Sequence, residues 1–267
     1  MNLENLYNKI NDTLSKKNVS RRSALDGVSK LGLGALAAAV PFAAAVNFPG
    51  KTFAKGNGMN NSSGATVIEI LNFALTLEYL EAKFYQMGLT APGLIPGGDL
   101  PVFNQISLHE GAHVITLIGA IVALGGTPVS QPTFDFTAGG VYSDVFTNYS
   151  TFLTLSQSFE DAGVRAYKGQ AGGLIGNDAV LTVALQIHSV EARHASEVRR
   201  IRGQKGWISG SNSGGAPDAI YVREDNYIQG GVDVRTITTV GATPISEAFD
   251  ETLSMSEVLA IAGPFIT

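Results

Sequence analysis

The sequence predicts an all-α protein: a four-helix bundle followed by a C-terminal extension of loops, short strands and one short helix. Three observations predict it. Between Thr66 and Gly203 lie four apolar segments of about 20 residues or more, each set off by residues that start and stop helices. The second segment is apolar nearly all round (Ile115, Leu117, Ile118, Ile121, Val122, Leu124), which is the pattern of a helix buried within a bundle. A chain of 267 residues that is 45% apolar also has enough material for a real core.

The chain opens with a targeting segment. Residues 1–30 are polar and basic, and Ser20-Arg21-Arg22-Ser23 precedes an apolar run from Leu31 to Val46 that closes in Ala43-Ala44-Ala45. These are the three parts of an export signal. The arginine pair resembles the twin-arginine type, so the protein is expected to be exported, periplasmic or extracellular. Ala24, Leu25 and Asp26 then depart from the bulky apolar residue and lysine usual in that signal. An uncleaved anchor is the other reading, for which a run of 16 residues is short. The expected organisation is a signal over residues 1–46, a Gly-, Asn- and Ser-rich flexible lead-in over 47–64, the bundle over 65–203 and the extension over 204–267.

Within the bundle, Thr66-Val-Ile-Glu69 is a capping box that opens helix 1, which is expected to run to about Met87 and stop at Gly88. Asp99 before Leu100-Pro101 supplies an N-cap and a first-turn proline for helix 2, which ends at Gly125-Gly126. Helix 3 starts between Asp144 and Ser150 and ends near Gly169, and helix 4 runs from a cap at Asn177-Asp178 to Gly203. Arg199, Arg200 and Arg202 suit the negative end of its dipole. Beyond it, β-branched residues in Tyr221-Val-Arg, Val232-Asp-Val and Arg235-Thr-Ile-Thr-Thr-Val predict one or two short strands. A short helix follows near Ser254–Ile261, and the whole extension is expected to fold over the bundle.

The formal net charge is −5, and setting aside the first 47 residues leaves 12 basic against 20 acidic side chains. Such a body has no electrostatic footprint for nucleic acid. The absence of cysteine excludes disulfides, thiolate ligands and cysteine nucleophiles, so any metal is held by oxygen and imidazole.

The chemistry lies in an internal repeat. Glu78 is followed seven residues later by Tyr85 and 32 residues later by Glu110-Gly-Ala-His113; Glu160 is followed seven residues later by Tyr167 and 31 residues later by Glu191-Ala-Arg-His194. Residues three apart share a helix face, so each Glu-x-x-His aims a carboxylate and an imidazole at one point. A seven-residue step is almost two turns, which keeps each tyrosine on the face of its glutamate, about 10 Å along the axis. Four ionised carboxylates in an apolar bundle are strongly disfavoured by desolvation, and two divalent cations cancel their charge. Glu81 competes with Glu78 for its place, but only Glu78 reproduces the tyrosine offset of Glu160. Asp161, about 100° round the helix from Glu160, is expected to be solvated or capping. Tyr85 and Tyr167 are core aromatics, donors to the ligand carboxylates, or redox-active groups. His109 and His188 have no counterpart in the repeat and are read as structural or surface histidines, with a supporting role open to His188.

These residues resemble the ferritin-like di-metal carboxylate superfamily, whose sites take one Glu from each of two helices and a Glu-x-x-His from each of the other two. Glu78 and Glu160 match the single positions; Glu110 with His113 and Glu191 with His194 match the paired ones. Leu77-Glu-Tyr-Leu-Glu-Ala-Lys-Phe-Tyr85, Glu160-Asp-Ala-Gly-Val164, Glu191-Ala-Arg-His194 and Phe249-Asp-Glu-Thr-Leu-Ser-Met-Ser-Glu-Val-Leu259 further resemble the branch of exported bacterial ferritin-like and plant desiccation-related proteins. The resemblance spans about residues 65–262. It implies two Fe or Mn ions held by the six residues. O2, peroxide or metal ions are the implied small-molecule partners, and a homo-oligomer is implied as well. Open positions on such a carboxylate-rich di-metal centre suit O2 or peroxide, so the expected activity is ferroxidase-like or manganese-catalase-like redox chemistry in stress protection. The alternative is a metal-stabilised structural or binding protein without turnover. Iron storage would need a shell of subunits, against which the long tail and Gly-rich loops argue.

Overall fold

A computed structural model describes residues 65–267. The expected export signal and lead-in lie outside the described residues. Four long helices form the bundle: α1 (Val67–Thr90), α2 (Leu100–Ala123), α3 (Tyr149–Ala171) and α4 (Asp178–Ile201). The capping box at Thr66 and Glu69 is present, with Glu69 N donating to Thr66 Oγ1 at 3.2 Å and Thr66 N to Glu69 Oε2 at 2.6 Å. α2 and α4 both end in the expected glycine. Gly125 (φ 79°) and Gly203 (φ 72°) take the left-handed conformation, and the N–H groups of Gly126 and Gln204 bond back to the carbonyls of Ile121 and Arg199.

Two expected stops are corrected. α1 runs through Gly88 to Thr90 and ends before Pro92, whose ring forces Ala91 into extended backbone. Gly88 instead gives room to the Phe152 ring, which lies where a side chain would stand. Gly169 likewise sits inside α3, with the Leu253 carbonyl packed against its backbone. Asp99 does not cap α2 with its side chain; it accepts from Tyr149 Oη at 2.7 Å and ties the starts of α2 and α3 together.

α1 lies along α2 and α3 along α4, and a long connection over residues 124–148 joins the two pairs. This is the single-crossover topology of one class of four-helix bundle. Leu117, Ile118 and Ile121 of α2 are buried as expected, whereas Ile115, Val122 and Leu124 are only half-buried. The core divides in two. One cluster gathers Phe84, Phe103, Phe152, Phe159 and Leu253, and the other gathers Ile70, Leu75, Leu117, Ile121 and Ile187. On every long helix the polar residues of the repeat fall between them.

The extension folds over α3. A hairpin pairs Ile228–Gln229 with Val232–Asp233 through Gly230 and Gly231, both at positive φ as a tight two-residue turn requires. The other expected strands are turns: Asp218–Tyr221 and Val234–Thr236 are single 3-10 turns. After the short α5 (Ala242–Ser246), α6 (Met255–Ala262) opens with a second capping box, Ser254 and Glu257, and packs against α3. The chain end then pairs with the crossover connection, Phe134 opposite Ile266.

Two buried arginines fasten these parts. Arg199 pairs with Asp161 (Nε to Oδ1 3.1 Å, Nη2 to Oδ2 2.5 Å), and Tyr221 Oη donates to the same carboxylate at 2.7 Å. Asp161 is therefore a buried strut rather than a solvated or capping residue. Arg199 and Arg202 serve tertiary contacts rather than the dipole alone, Arg202 reaching Thr154 Oγ1 at 3.0 Å and the Gly214 carbonyl at 2.9 Å. Arg165 on α3 is fully buried. It donates to the carbonyls of Ile220, Val222 and Glu251 and pairs with Glu224 at 2.8 Å. Removing one partner of a buried ion pair costs about 3–5 kcal/mol. Arg165→Ala should lose about that much in urea unfolding, and a loss under about 1 kcal/mol would mean that the extension is held by its apolar contacts alone.

Candidate metal centre

Each long helix carries its chemistry at mid-length: Glu78 on α1, Glu110 and His113 on α2, Glu160 on α3, Glu191 and His194 on α4. All four glutamates are fully buried, and His113 and His194 are 8% and 5% exposed. The i,i+3 spacing does what elementary helix geometry requires, turning carboxylate and imidazole inward together. His113 Nδ1 stands 2.9 Å from Glu191 Oε1 and 3.2 Å from both Glu78 Oε2 and Glu110 Oε2. His194 Nδ1 stands 2.8 Å from Glu110 Oε1, 3.3 Å from Glu160 Oε2 and 3.6 Å from Glu191 Oε2.

Two overlapping sets result: Glu78, Glu110, His113 and Glu191, and Glu110, Glu160, Glu191 and His194. Within each, one donor atom per residue lies within 4.8 Å of the others. Glu110 and Glu191 belong to both sets and turn a different oxygen to each imidazole. Glu110 Oε1, Glu160 Oε2, both oxygens of Glu191 and His194 Nδ1 are buried without a hydrogen bond. The 2.8 Å approach of His194 to Glu110 is short but lacks hydrogen-bond alignment, so these atoms converge without satisfying one another. A buried polar group left this way is costly, and a cation at the point of convergence would satisfy the set.

The tyrosines are exchanged between the halves. Tyr85 on α1 donates to Glu160 Oε1 on α3 at 2.5 Å, and Tyr167 on α3 donates to Glu78 Oε1 on α1 at 2.5 Å. Each single glutamate thus has one oxygen held by the opposite helix and the other facing an imidazole. The seven-residue offset placed each tyrosine on the right face, but its partner is the other half's glutamate.

Glu78 occupies the four-residue set as expected, yet Glu81 is also buried, at 3% exposed, and stands beside it. Of the two expected roles His109 takes the structural one: its Nδ1 lies 2.9 Å from His194 Nε2, the two rings stack at 5.1 Å, and the Gln105 amide meets its other nitrogen at 2.7 Å. Its position four residues before His113, on the same helix face, was the available signal. His188 is half-buried, its Nε2 without a partner among the described residues, and lies outside both sets.

The profile of a family described as a ferritin-like domain matches residues 66–204, just over half of the chain. The chain belongs to the ferritin-like family. A comparison with curated proteins finds no match to it. The donors of this ferritin-like domain follow the pattern of one Glu on each of two helices and Glu-x-x-His on the other two.

Electrostatics show what the ferritin-like domain does with its charges. Burial drives Glu78 up to about 8 against the pull of His113, and drives Glu160 well above the carboxylate range against His194. Burial also opposes ionisation of Glu110 and Glu191, but the two imidazoles outweigh it and hold both below their ordinary values. Burial alone would lower His113 and His194; the surrounding carboxylates raise them instead. Tyr85 and Tyr167 are pushed well above 10 by burial and by the glutamates they bond, so both remain phenols that donate. Without a cation, the set keeps protons in its place.

Proposed function

We propose that this ferritin-like protein holds two iron or manganese ions between Glu78, Glu110, His113, Glu160, Glu191 and His194 and uses them in redox chemistry with O2, peroxide or Fe(II), in stress protection. One observation carries the reading: two sets of three carboxylates and one imidazole share Glu110 and Glu191. A donor set of oxygen and imidazole without sulfur suits iron and manganese. When bound, such a pair supplies Lewis acidity and a change of oxidation state to a small oxidant.

The chain supplies the rest. Tyr85 and Tyr167 fix Glu160 and Glu78 so that one oxygen of each faces inward. His109 holds His194 by Nε2, leaving Nδ1 turned to the carboxylates, the kind of outer support that sets tautomer and ring orientation. The two apolar clusters exclude bulk water along the bundle axis on either side. Among the described residues of the centre, His113, at 8%, and the half-buried His109 are the most exposed.

The full-length protein loaded with Fe(II), and separately with Mn(II), should oxidise or consume peroxide faster than the free metal, followed by stopped-flow absorbance beside a metal-free control. A rate no faster than free metal in buffer, together with a large metal-dependent rise in melting temperature, would reject the redox reading and leave the ions as structural supports.

A further inference from the structure

The repeat that builds the centre is broken at one buried position. Three residues after Glu78 comes Glu81; three residues after Glu160 comes Gly163. The two positions face each other. A Cβ built on Gly163 would lie 3.2 Å from Glu81 Oε1 and 3.8 Å from Glu191 Oε2, so the glycine leaves open the space into which the Glu81 carboxyl extends. Glu81 is 3% exposed and belongs to neither four-residue set. The groups that act on it most are Glu191, Glu110, Glu160 and Glu78, all of them carboxylates and all of them in the donor sets. Burying a carboxyl among four others costs desolvation and repulsion together. A proton on Glu81 offsets that cost in the metal-free protein, and a cation shared with the same carboxylates would take the proton's place.

We propose that Glu81 is a seventh metal ligand, present in one half of the repeat only, that makes the two metal positions unequal. Gly163, which Glu81 Oε1 faces, lies one helical turn beyond Glu160 on α3, and Glu160 belongs to the His194 set, so Glu81 serves the ion on the His194 side. The inference rests on the di-metal reading. It adds that the sites fill in order rather than together, and that the tighter site owes its strength to a residue outside the repeated set.

The test is a metal titration of the full-length protein with Mn(II) by calorimetry and with Co(II) by visible absorption. Co(II) bands strengthen as coordination number falls. The wild type should bind two ions in two resolved steps. Glu81→Gln keeps the shape and removes the charge, and it should weaken one step by at least roughly 10-fold, the low end of what even an outer partner of a metal ligand is worth, while leaving the other step unchanged. The Co(II) spectrum should change for one ion only. Gly163→Ala puts a methyl against Glu81 Oε1 and should weaken the same step. His194→Gln should also act on that step. Circular dichroism of the metal-free variants should match the wild type, which separates loss of a ligand from loss of fold. Two ions bound identically by wild type and Glu81→Gln would overturn the seventh ligand while leaving the di-metal centre standing. A wild type that binds neither ion would overturn both.

Discussion

Replacing Glu110 and Glu191 together by glutamine should take the protein from about two bound transition-metal ions per chain to almost none. Each residue contributes an oxygen to both donor sets: Glu110 Oε2 and Oε1 lie 3.2 Å and 2.8 Å from the two imidazoles, and Glu191 Oε1 and Oε2 lie 2.9 Å and 3.6 Å from them. Losing both leaves each position with one carboxylate and one imidazole of the six-residue set, below the ligand count that holds a hard divalent ion against water. Glutamine keeps the volume and adds amide donors where orphaned oxygens now stand, so the metal-free fold should survive. Glu78→Gln is the contrast. It touches one set only and should remove one ion while sparing the other. Metal analysis after dialysis reads both variants, and unchanged stoichiometry in the double variant would place the metals elsewhere in the protein.

The site was more legible in the sequence than its surroundings, and the reason is physical. A metal centre on helices needs donors at i and i+3 and one partner on each facing helix, and those constraints are periodic. Written twice, as Glu110 with His113 and Glu191 with His194, they stand out from chance. The exchange of Tyr85 and Tyr167 was hidden because an intrahelical offset fixes a face but says nothing of which neighbouring helix lies across it. His109 was hidden for a related reason: it has no counterpart in the second half, where Val190 takes its place, so a repeat-based reading discounts it.

Glycine was the main source of error in the helix boundaries. Gly88 and Gly169 look like stop signals because glycine is a poor helix former, a penalty of about 1 kcal/mol that packing readily overrides. Here a phenyl ring and a backbone carbonyl occupy the space a Cβ would need. Gly125 and Gly203, by contrast, were legible as stops because no helical residue follows them and their left-handed backbone is one that glycine alone takes cheaply. Asp161 and the arginines of α4 were misassigned because a local rule, charge against helix dipole, was applied where a tertiary rule prevailed. A buried carboxylate on α3 needed a buried cation, and Arg199 supplies it. The extension was legible only as extension. Its β-branched runs suggested strands, but of those runs only Val232–Asp233 pairs, in a two-residue hairpin, and the contacts that hold the rest come from Arg165 and α6.

The metal-free protein should lose stability as pH rises, while the stability that metal adds should grow. In the metal-free protein the folded pKa of Glu78 is about 8, against about 4.5 in an unfolded chain, so between those values the folded state holds a proton that the unfolded state has lost. Its contribution to stability therefore falls as pH rises through that window and levels off above about 8. Glu160 and Glu81, both raised by burial, act with the same sign. So do His113 and His194: the carboxylates raise them above 6.5, and the stability they give at lower pH is lost as pH climbs toward their folded values. Glu110 and Glu191 are shifted down, and their window lies below about 4.5, outside the working range. On the di-metal reading, metal ions take the place of these protons. Binding releases them, so affinity rises with pH, and ligand present at about 1,000 times its Kd adds about 4 kcal/mol to stability. The melting temperature of the protein in a chelator should fall from about pH 5.5 to about pH 8, while the gap between Mn(II)-loaded and chelator-treated protein widens over the same interval. Proton release on Mn(II) addition, followed with an indicator dye in weak buffer, reads the exchange directly. A gap that narrows with rising pH, or binding without proton release, would mean that the cation does not sit among Glu78, Glu160 and the two imidazoles.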